Sequence, residues 1–454
     1  MKLRKYIIYL IVLVLLAGYY GYFEVYRKNK NEKLAEQNKK VFSLDVADVD
    51  QVKLQRKDDK PIVLVREKNK EWTITEPLNK KADKMEVEEL VGYLKKVERQ
   101  MVISEKATDL VQYGLDHPSL IISFHTKDGW REIQFGDANP LGKDYYAKTE
   151  DKPQVFVVAS STHQVMNKDL FKLRDKSLFT MQSPEVNGLE LQKGAMTARF
   201  DKAPGEKGKW SLEGDKQFRV KDSKVQEIIR QFAWLRASVF EQEDDKDLAK
   251  FGLDKPVAKV TMIQGDHAET LLLGSEHVKD RMYAKLAGKP GVVSIDSRLL
   301  KDVPDSIADF KDRTILSFDE DRVSKVLWKM GDKESELVKK DGKWSWVLPK
   351  ELKDKKMEAW TIEGALWKLK DLEYAAEATE TDKPSGGDSW SVTVFGDKDK
   401  QVANLMVLGN GEGEQKDEAL AKVAGKELTG AYWVHQTPLN DAKQAFEKLG
   451  EEKK

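Results

Sequence analysis

The chain has 454 residues, of which 40% are hydrophobic and 34% charged; this is the composition of folded, water-soluble domains, and the chain is too long for one core. Its 78 basic and 78 acidic residues balance, so no overall charge attracts nucleic acid or an anionic lipid surface. The absence of cysteine excludes disulfides, thiolate metal sites, thiol nucleophiles and a lipoprotein anchor. We therefore expect no nucleic-acid partner.

The first element is an apolar segment, Tyr6–Phe23, of 18 uncharged residues. As a helix it would be about 27 Å long, close to the roughly 30 Å hydrocarbon core of a bilayer. Tyrosines lie near both ends, and bulky residues stand where signal-peptide cleavage needs small ones, which favours an uncleaved anchor over a signal peptide. We predict a cytoplasmic tail and transmembrane anchor over residues 1–26 and a polar linker over 27–45.

The flanking charges bear on the orientation of this segment. Three cations precede it and four follow it, so the positive-inside rule gives a mixed signal. They are Lys2, Arg4 and Lys5 before the segment and Arg27, Lys28, Lys30 and Lys33 after it. A very short, cationic N-terminal tail usually stays in the cytoplasm. We therefore expect a single-pass protein of the cytoplasmic membrane with the bulk of the chain outside the cytoplasm.

The rest of the chain contains internal repeats. Trp72 precedes Tyr113 by 41 residues, and Trp210 precedes Phe251 by 41 residues, so the two pairs are related by an offset of 138. Between the members of each pair lie apolar residues at the i, i+3, i+4, i+7 spacing of an amphipathic helix. They are Val87, Leu90, Val91, Leu94 and Val97 in the first copy and Val225, Ile228, Ile229, Phe232 and Leu235 in the second.

A third copy is more diverged. Trp344 follows Trp210 by 134 residues, and Ile362, Leu366 and Leu369 continue the helical pattern. The Gly-Leu-Asp element is missing from this copy, although Gly386-Gly387-Asp388 stands nearby. Terminal repeats are often atypical because one end faces solvent. The predicted repeat units are residues 46–180, 186–317 and 323–450, called here the first, second and third copies.

Within one copy the hydrophobic period changes from 2 to 3.6 and back. A helix is predicted after Asp83, which has the character of an N-cap, and a closing helix from about Thr162 to Leu173. The predicted strands of the first copy are Val52–Gln55, Ile62–Val65, 72–75, Leu120–Phe124, Arg131–Phe135, Tyr145–Lys148 and Val155–Val158. Runs of strands joined by Asp-Gly turns around one long helix predict an α+β fold with antiparallel sheets.

The ordered motifs resemble a bacterial family known as domain of unknown function 4340. The resemblance is carried by Tyr113–Pro118 and Phe251–Pro256, by the tryptophan and helix before them, and by Tyr-Ala-Lys at 146–148 and 283–285. It covers nearly all of the chain after residue 45, most weakly in the third copy. It implies one N-terminal membrane helix and an auxiliary role in ABC-type export or gliding motility, and it offers no catalytic residue to transfer.

The candidate site residues are the repeat motif itself. They are Trp72, Tyr113, Gly114, Asp116, Trp210, Phe251, Gly252, Asp254 and Trp344. We interpret them as structural, with glycines at positive φ and tryptophans as core anchors, while a repeated ligand contact is the functional alternative. The other tryptophans of the third copy are either additional core or a groove for a glycan or peptide. No catalytic, cofactor-binding or metal-binding residue is predicted, since the six histidines lack zinc-site spacing.

Two charged clusters, Arg174–Lys176 and Lys311–Arg313, fall where one copy gives way to the next. Ion pairs between copies, solvated helix ends and an anion site are all compatible with them. For the whole chain we expect a non-enzymatic, membrane-tethered binding or scaffold protein with protein partners, accessory to an ABC-type transport or cell-envelope complex. A glycan- or peptide-binding module and a hydrolase with an unrecognised carboxylate site are the alternatives that the residues leave open.

Overall fold

The computed structural model describes residues 2–22, 30, 39–140, 144–205, 208–278, 280–355 and 357–450, with side chains from Leu10 onward. Helix α1 spans Lys2–Tyr20. Within these described ranges, no helix combines the length and the apolarity that crossing a membrane requires. Phe23 and most of the predicted linker 27–45 lie outside the described residues, as do the side chains of Lys2, Arg4 and Lys5.

The chain is α+β and forms three antiparallel sheets. The strands of the first sheet are β1 (Gln51–Arg56), β2 (Ile62–Arg66), β3 (Trp72–Glu76), β4 (Lys80–Lys81), β5 (Met101–Ser104), β6 (Leu120–Thr126), β7 (Gly129–Ala138), β8 (Asp144–Thr149) and β9 (Val155–Ala159). Their order is β4-β3-β2-β1-β6-β7-β8-β9-β5, so β5 is an edge strand. The predicted strands of the first copy are confirmed, and β4 and β5 were not predicted.

The third sheet has the same order without an equivalent of β4, namely β20-β19-β18-β22-β23-β24-β25-β21. Its strands are β18 (Lys325–Met330), β19 (Lys333–Lys340), β20 (Lys343–Leu348), β21 (Tyr374–Glu377), β22 (Trp390–Phe395), β23 (Gln401–Asn410), β24 (Glu418–Gly425) and β25 (Thr429–His435). The register is equivalent as well: Val52 lies opposite Phe124 in the first sheet, and Val326 lies opposite Val394 in the third.

The strands of the second sheet are β10 (Gly188–Lys193), β11 (Met196–Lys202), β12 (Trp210–Leu212), β13 (Val239–Gln242), β14 (Ala258–Gln264), β15 (His267–Val278), β16 (Arg281–Leu286) and β17 (Val292–Asp296). The run β12-β11-β10-β14-β15-β16 repeats the order of the other sheets. The antiparallel pair of β13 with β17 has the same register shift as the pair of β5 with β9. The sequence repeat is therefore also a repeat of strand order.

The chain divides into two compact units. The first comprises Met1–Thr180, Trp234–Asp245 and Gly291–Ile295, and the second comprises Met181–Ala233, Lys246–Pro290 and Asp296–Lys454. Consequently β13 belongs to the unit of the first sheet, and the third sheet belongs to the second unit. The core of the first unit includes Trp72 and Phe124, and that of the third sheet includes Trp344 and Phe446.

One amphipathic helix follows the third strand of each copy: α2 (Lys84–Leu94), α5 (Asp222–Ala233) and α7 (Ala359–Lys370). Within each helix the residues at the predicted spacing are buried. Val97 and Leu235, which the prediction also included, lie beyond the helix ends, and Leu235 is half-buried. Asp83 caps α2, as predicted, because its carboxylate accepts hydrogen bonds from the backbone amides of Met85 and Glu86. The buried residues of α2 and α7 belong to the same cores as the strands of the first and third sheets.

The closing helix of the first copy is broken, contrary to the prediction of one helix from Thr162 to Leu173. It forms α3 (Ser160–Met166) and α4 (Leu170–Leu173), with Asp169 capping the second segment. Lys168, in the interruption, is only 5% exposed and donates hydrogen bonds to Glu86 and Glu89 on α2. The second copy has the short helix α6 (Leu299–Asp302), and the third ends in a single long helix, α8 (Gln436–Gly450).

Candidate functional site

The Tyr/Phe-Gly-Leu-Asp motif forms a tight turn after a short 3-10 helix. Gly114 and Gly252 have φ of 62° and 66°, in the left-handed region that favours glycine. The aromatic residue before each glycine packs edge-on against the tyrosine of the Tyr-Ala-Lys motif, Tyr113 on Tyr146 and Phe251 on Tyr283. Asp116 and Asp254 are exposed. The two sequence motifs are therefore in contact, and they hold the turn against its sheet.

A second glycine in each copy completes this turn. A Cβ on Gly136 would lie 2.0 Å from the carbonyl oxygen of Tyr113, and one on Gly274 would lie 2.2 Å from that of Phe251. In the third copy a Cβ on Gly409 would lie 2.4 Å from the carbonyl oxygen of Gly386, so Gly386-Gly387 takes the place of the missing motif. Sequence reasoning missed these glycines, although Gly136 and Gly274 share the 138-residue offset.

The three repeated tryptophans lie in the cores. Trp72, Trp210 and Trp344 are 1%, 4% and 5% exposed. Their indole Nε1 atoms are buried and have no hydrogen-bond partner among the described residues. The guanidinium of Arg66 lies 4.7 Å from the ring of Trp72. These positions face the protein interior and offer no surface to a ligand.

Within the first unit, ion pairs connect the first copy to the edge strand β13. Arg174 lies 3.5 Å over the ring of Phe240 and pairs with Glu243, while Arg236 donates to Asp83. Burial would raise the pKa of Asp83, but Arg236, the amide of Glu86 and Lys176 outweigh it and lower the pKa. In the same way burial would raise the pKa of Glu243, but Arg174 and Lys80 together outweigh it and lower the pKa. The charged cluster at Arg174–Lys176 thus forms ion pairs.

Within the second unit, an equivalent junction has one ion pair of reversed sign and one cation that is kept. Lys221, which takes the place of Asp83, lies 2.5 Å from Glu373, which takes the place of Arg236. Lys311, in the place of Arg174, lies 3.4 Å from Glu377. The backbone contacts are the same at both junctions. Ser177 forms an isolated antiparallel β-bridge with Arg236, and Thr314 forms one with Glu373. The geometry is therefore the same at both junctions. The charges are exchanged between the Asp83–Arg236 and Lys221–Glu373 pairs, while Lys311 keeps the positive charge of Arg174.

A solvent-facing surface of the first unit surrounds Trp130 on β7, which is 52% exposed. Two depressions, of about 650 and 290 Å³, share Trp130, Arg131, Glu132 and Glu150. The larger also contains Arg99 and extends to Phe42. We call these residues the Trp130 surface.

Neighbouring side chains hold the Trp130 surface in place. The ring of His125 lies 5.3 Å from that of Trp130, and its Nδ1 lies 2.7 Å from the carboxylate of Asp50. Glu132 accepts hydrogen bonds from Ser123 at 2.7 Å and from Gln134 at 2.8 Å. The surface thus combines an exposed aromatic ring with a fixed carboxylate, which suits recognition of a polar segment that also carries an apolar group.

The tryptophans of the third copy are divided between core and surface. Trp328, Trp346, Trp390 and Trp433 are buried, so most of them form core. Trp360 and Trp367 on α7 are 61% and 58% exposed. A depression of about 530 Å³ at the start of this copy is lined by Phe318 and Arg322, just before it, and by Asp397 within it, among others. In the described part of the chain, no group of three His, Asp or Glu side chains could hold a metal ion.

The repeated antiparallel sheet with its buried tryptophan and glycine turn defines a tandem α+β protein. The sequence model of the family described as domain of unknown function (DUF4340) matches residues 72–246 and again 210–388, which together cover more than half of the chain. The chain belongs to this family. Each match begins at a repeated tryptophan and ends beyond the helix and edge strand of the next copy, so each includes one junction. No curated protein and no solved structure matches the chain.

Proposed function

We propose that this chain is a membrane-tethered, extracytoplasmic binding or scaffold protein that serves a transport or cell-envelope complex without catalysing a reaction. The observation that carries the proposal is Trp130, 52% exposed between two depressions and flanked by Arg131 and Glu132. Tryptophan and arginine are enriched at the energetic centres of protein interfaces. A partly exposed tryptophan that its neighbours hold in place therefore supports binding as the function.

The charges around Trp130 support a protein or peptide as the ligand. The depressions contain both signs, and no continuous basic stripe that would follow a phosphate backbone is present among the described lining residues. The cations are Lys53, Arg99, Arg131 and Lys152, and the anions are Glu132, Glu150 and Asp151. Local complementarity of this kind favours specificity over long-range attraction, as the balanced net charge also does.

The tether is proposed from the sequence. Tyr6–Phe23 contains 18 uncharged residues, enough for a helix that nearly spans a bilayer. Lys2, Arg4 and Lys5 favour a cytoplasmic N-terminus and hence an extracytoplasmic position for the remainder. A fusion of alkaline phosphatase to the C-terminus should be active, and the chain should stay in the membrane pellet after carbonate extraction. An inactive fusion would overturn the orientation, and release into the supernatant would overturn the tether.

Co-purification of the full chain in mild detergent, followed by mass spectrometry, tests the binding role. Wild-type chain and the matched control Trp234→Ala, whose tryptophan is 81% exposed elsewhere in the first unit, should retain the same partner. Trp130→Ala should lose it, because truncating a central aromatic residue typically costs an interface about 2 kcal/mol or more. Equal recovery of the partner with all three proteins would exclude the Trp130 surface as the binding site.

A glycan- or peptide-binding module is a second candidate, favoured by Trp360 and Trp367. They lie seven residues apart on α7 and therefore share one face, with open space at Gly364 between them. Exposed aromatic rings provide flat apolar faces on which sugar rings or apolar side chains can pack. Titration with soluble cell-wall oligosaccharides should quench tryptophan fluorescence in the wild type and not in Trp360→Ala/Trp367→Ala. Unchanged quenching in the double variant would exclude this face.

A further inference from the structure

The edge strand β5 of the first copy carries exposed apolar residues. Met101, Val102 and Ile103 are 59%, 39% and 36% exposed, three consecutive apolar residues on a sheet edge. Native proteins normally protect or charge such an edge, because it is a template for association. Two carboxylates, Glu98 and Glu105, flank it, and both are exposed. We call these five residues the β5 face.

The same backbone hydrogen bond, from a residue at or just before the start of the edge strand to the segment that precedes the copy, occurs in all three copies. It shows which residues of the three edge strands are equivalent. The amide of Arg99 donates to the carbonyl of Lys39 at 2.7 Å, and that of Ala237 donates to Lys176 at 2.8 Å. In the third copy the amide of Tyr374 donates to Arg313 at 3.0 Å. Counting from these bonds, Val102 corresponds to Phe240 and to Glu377, and Glu105 corresponds to Glu243.

In the second copy this face is covered by the end of the first copy. Within the first unit, Arg174 lies over Phe240 and forms two hydrogen bonds to Glu243, and the ring of Phe171 lies 5.8 Å from that of Phe240. In the third copy, within the second unit, Lys311 pairs with Glu377, which stays 66% exposed. In the second and third copies, a cation from the end of the preceding copy thus contacts the residue equivalent to Val102. In the second copy the aromatic ring of Phe171 accompanies this cation.

We propose that the β5 face docks a segment of a partner protein that carries an arginine next to an aromatic residue. The arginine would lie over Val102 with its guanidinium on Glu105, as Arg174 lies over Phe240 with its guanidinium on Glu243. The carboxylate of Glu105 already accepts a hydrogen bond from Gln154 at 2.6 Å, which holds it at the strand edge. Among the described residues, Glu98 forms no ion pair and adds negative charge to the face.

A separate protein fits the face better than a second copy of this chain. The segment that carries Phe171 and Arg174 already covers Phe240 in its own molecule. The third copy closes with the single helix α8, which lacks the two-helix form of the segment around Arg174. The inference rests on the proposed binding role and specifies the chemistry of one partner.

A peptide derived from the chain itself provides the probe. A fluorescein-labelled peptide of residues 166–177, which carries Phe171 and Arg174, is titrated with the full-length protein in detergent and followed by fluorescence anisotropy. Binding should saturate and should be about tenfold weaker for Glu105→Lys and for Val102→Glu, since charge-assisted bidentate contacts and apolar burial are both removed. The matched control Glu67→Lys, an exposed charge on another part of the same sheet, should bind as the wild type does.

Charge exchange provides the decisive comparison. A peptide with Arg174→Glu should fail to bind the wild type and should recover binding to Glu105→Lys. Hydrogen exchange at Met101–Ser104 should be fast in the free chain and slowed by the peptide. Equal affinity for the wild type and Glu105→Lys would overturn the proposal. A second result would also overturn the proposal: slow hydrogen exchange at Met101–Ser104 in the free wild-type chain, and fast exchange in a variant whose residues 31–38 are replaced by a Gly-Ser linker. That result would mean that the chain itself occupies the β5 face. Because these measurements use purified protein, their failure leaves the tether and co-purification tests unaffected.

Discussion

Removing one partner of the ion pair at each junction should have unequal effects on stability, because the two equivalent ion pairs differ in burial. At the first junction Asp83 is 9% exposed and Arg236 is 48% exposed, whereas at the second Lys221 and Glu373 are 40% and 43% exposed. We compare Arg236→Ala with Glu373→Ala. Both substitutions truncate the residue that follows the main helix of a copy, so each is the matched control of the other.

The expected magnitude follows from what remains around the buried charge. Breaking a fully buried ion pair costs about 3–5 kcal/mol, while an exposed pair is worth about 0–1 kcal/mol. After Arg236→Ala the carboxylate of Asp83 keeps the amides of Met85 and Glu86 and has Lys176 at 3.6 Å, so the charge is only partly uncompensated. We expect Arg236→Ala to cost about 1–2 kcal/mol and Glu373→Ala less than about 0.5 kcal/mol.

The absence of cysteine makes a thiol reporter possible. Val91→Cys on α2 and Ile229→Cys on α5 place one buried thiol behind each junction, since both positions are at most 2% exposed. The labelling rate in increasing urea gives the free energy of opening for each helix, and each junction variant is compared with its own cysteine background. Equal losses at the two reporters, or a loss below about 0.5 kcal/mol for Arg236→Ala, would refute the argument from burial.

Three further predictions use the reporter on α2. Trp72→Ala should lower the free energy of unfolding by about 3–5 kcal/mol, while Trp130→Ala should change it by less than about 0.5 kcal/mol. Similar losses for the two variants would contradict the assignment of Trp72 to the core and Trp130 to the surface. Gly136→Ala should destabilise the first unit by about 1–3 kcal/mol, because the new Cβ would overlap a backbone carbonyl. Its control, Gly92→Ala on α2, places the Cβ in open space and should increase the free energy of unfolding by about 0.5–1 kcal/mol. Burial lowers the pKa of His163 below its ordinary 6.5, so the unfolded chain binds the proton more readily and stability should fall as pH drops below about 6.5. His163→Gln should make stability less dependent on pH below about 6.5, whereas the control His117→Gln, at an exposed histidine, should leave the dependence unchanged. The same pH dependence in both variants would exclude His163 as its source.

The sequence predicted the elements whose signal is local. The helical face of α2 and the strand that begins at Trp72 follow from apolar spacing within a few residues, and both are as predicted. The edge strand β5 was missed because Met101–Ser104 shows no alternation of apolar and polar residues. The role of Gly136 was missed because the obstacle is a carbonyl 23 residues earlier in the chain, at Tyr113.

The candidate surface and the junction pairs could be predicted only in part. The clusters around Arg174 and Lys311 were recognised from their charge and position, but their partners depend on tertiary packing; Asp83 and Arg236, for example, are 153 residues apart. Trp130 is one of 11 tryptophans, and only its position on the outer face of a sheet distinguishes it from the buried ones. Exposure of a single aromatic residue has no signature in one sequence.

The charges exchanged between the Asp83–Arg236 and Lys221–Glu373 pairs affect which copies can contact each other. Tandem domains of the same fold are prone to pair with the wrong neighbour while they fold. If the first copy met the third directly, Asp83 would face Glu373, and if second copies from two chains met, Lys221 would face Arg236. Like charges at a partly desolvated contact oppose association. The charges at this one pair of positions therefore oppose a direct contact between the first and third copies and a contact between the second copies of two molecules.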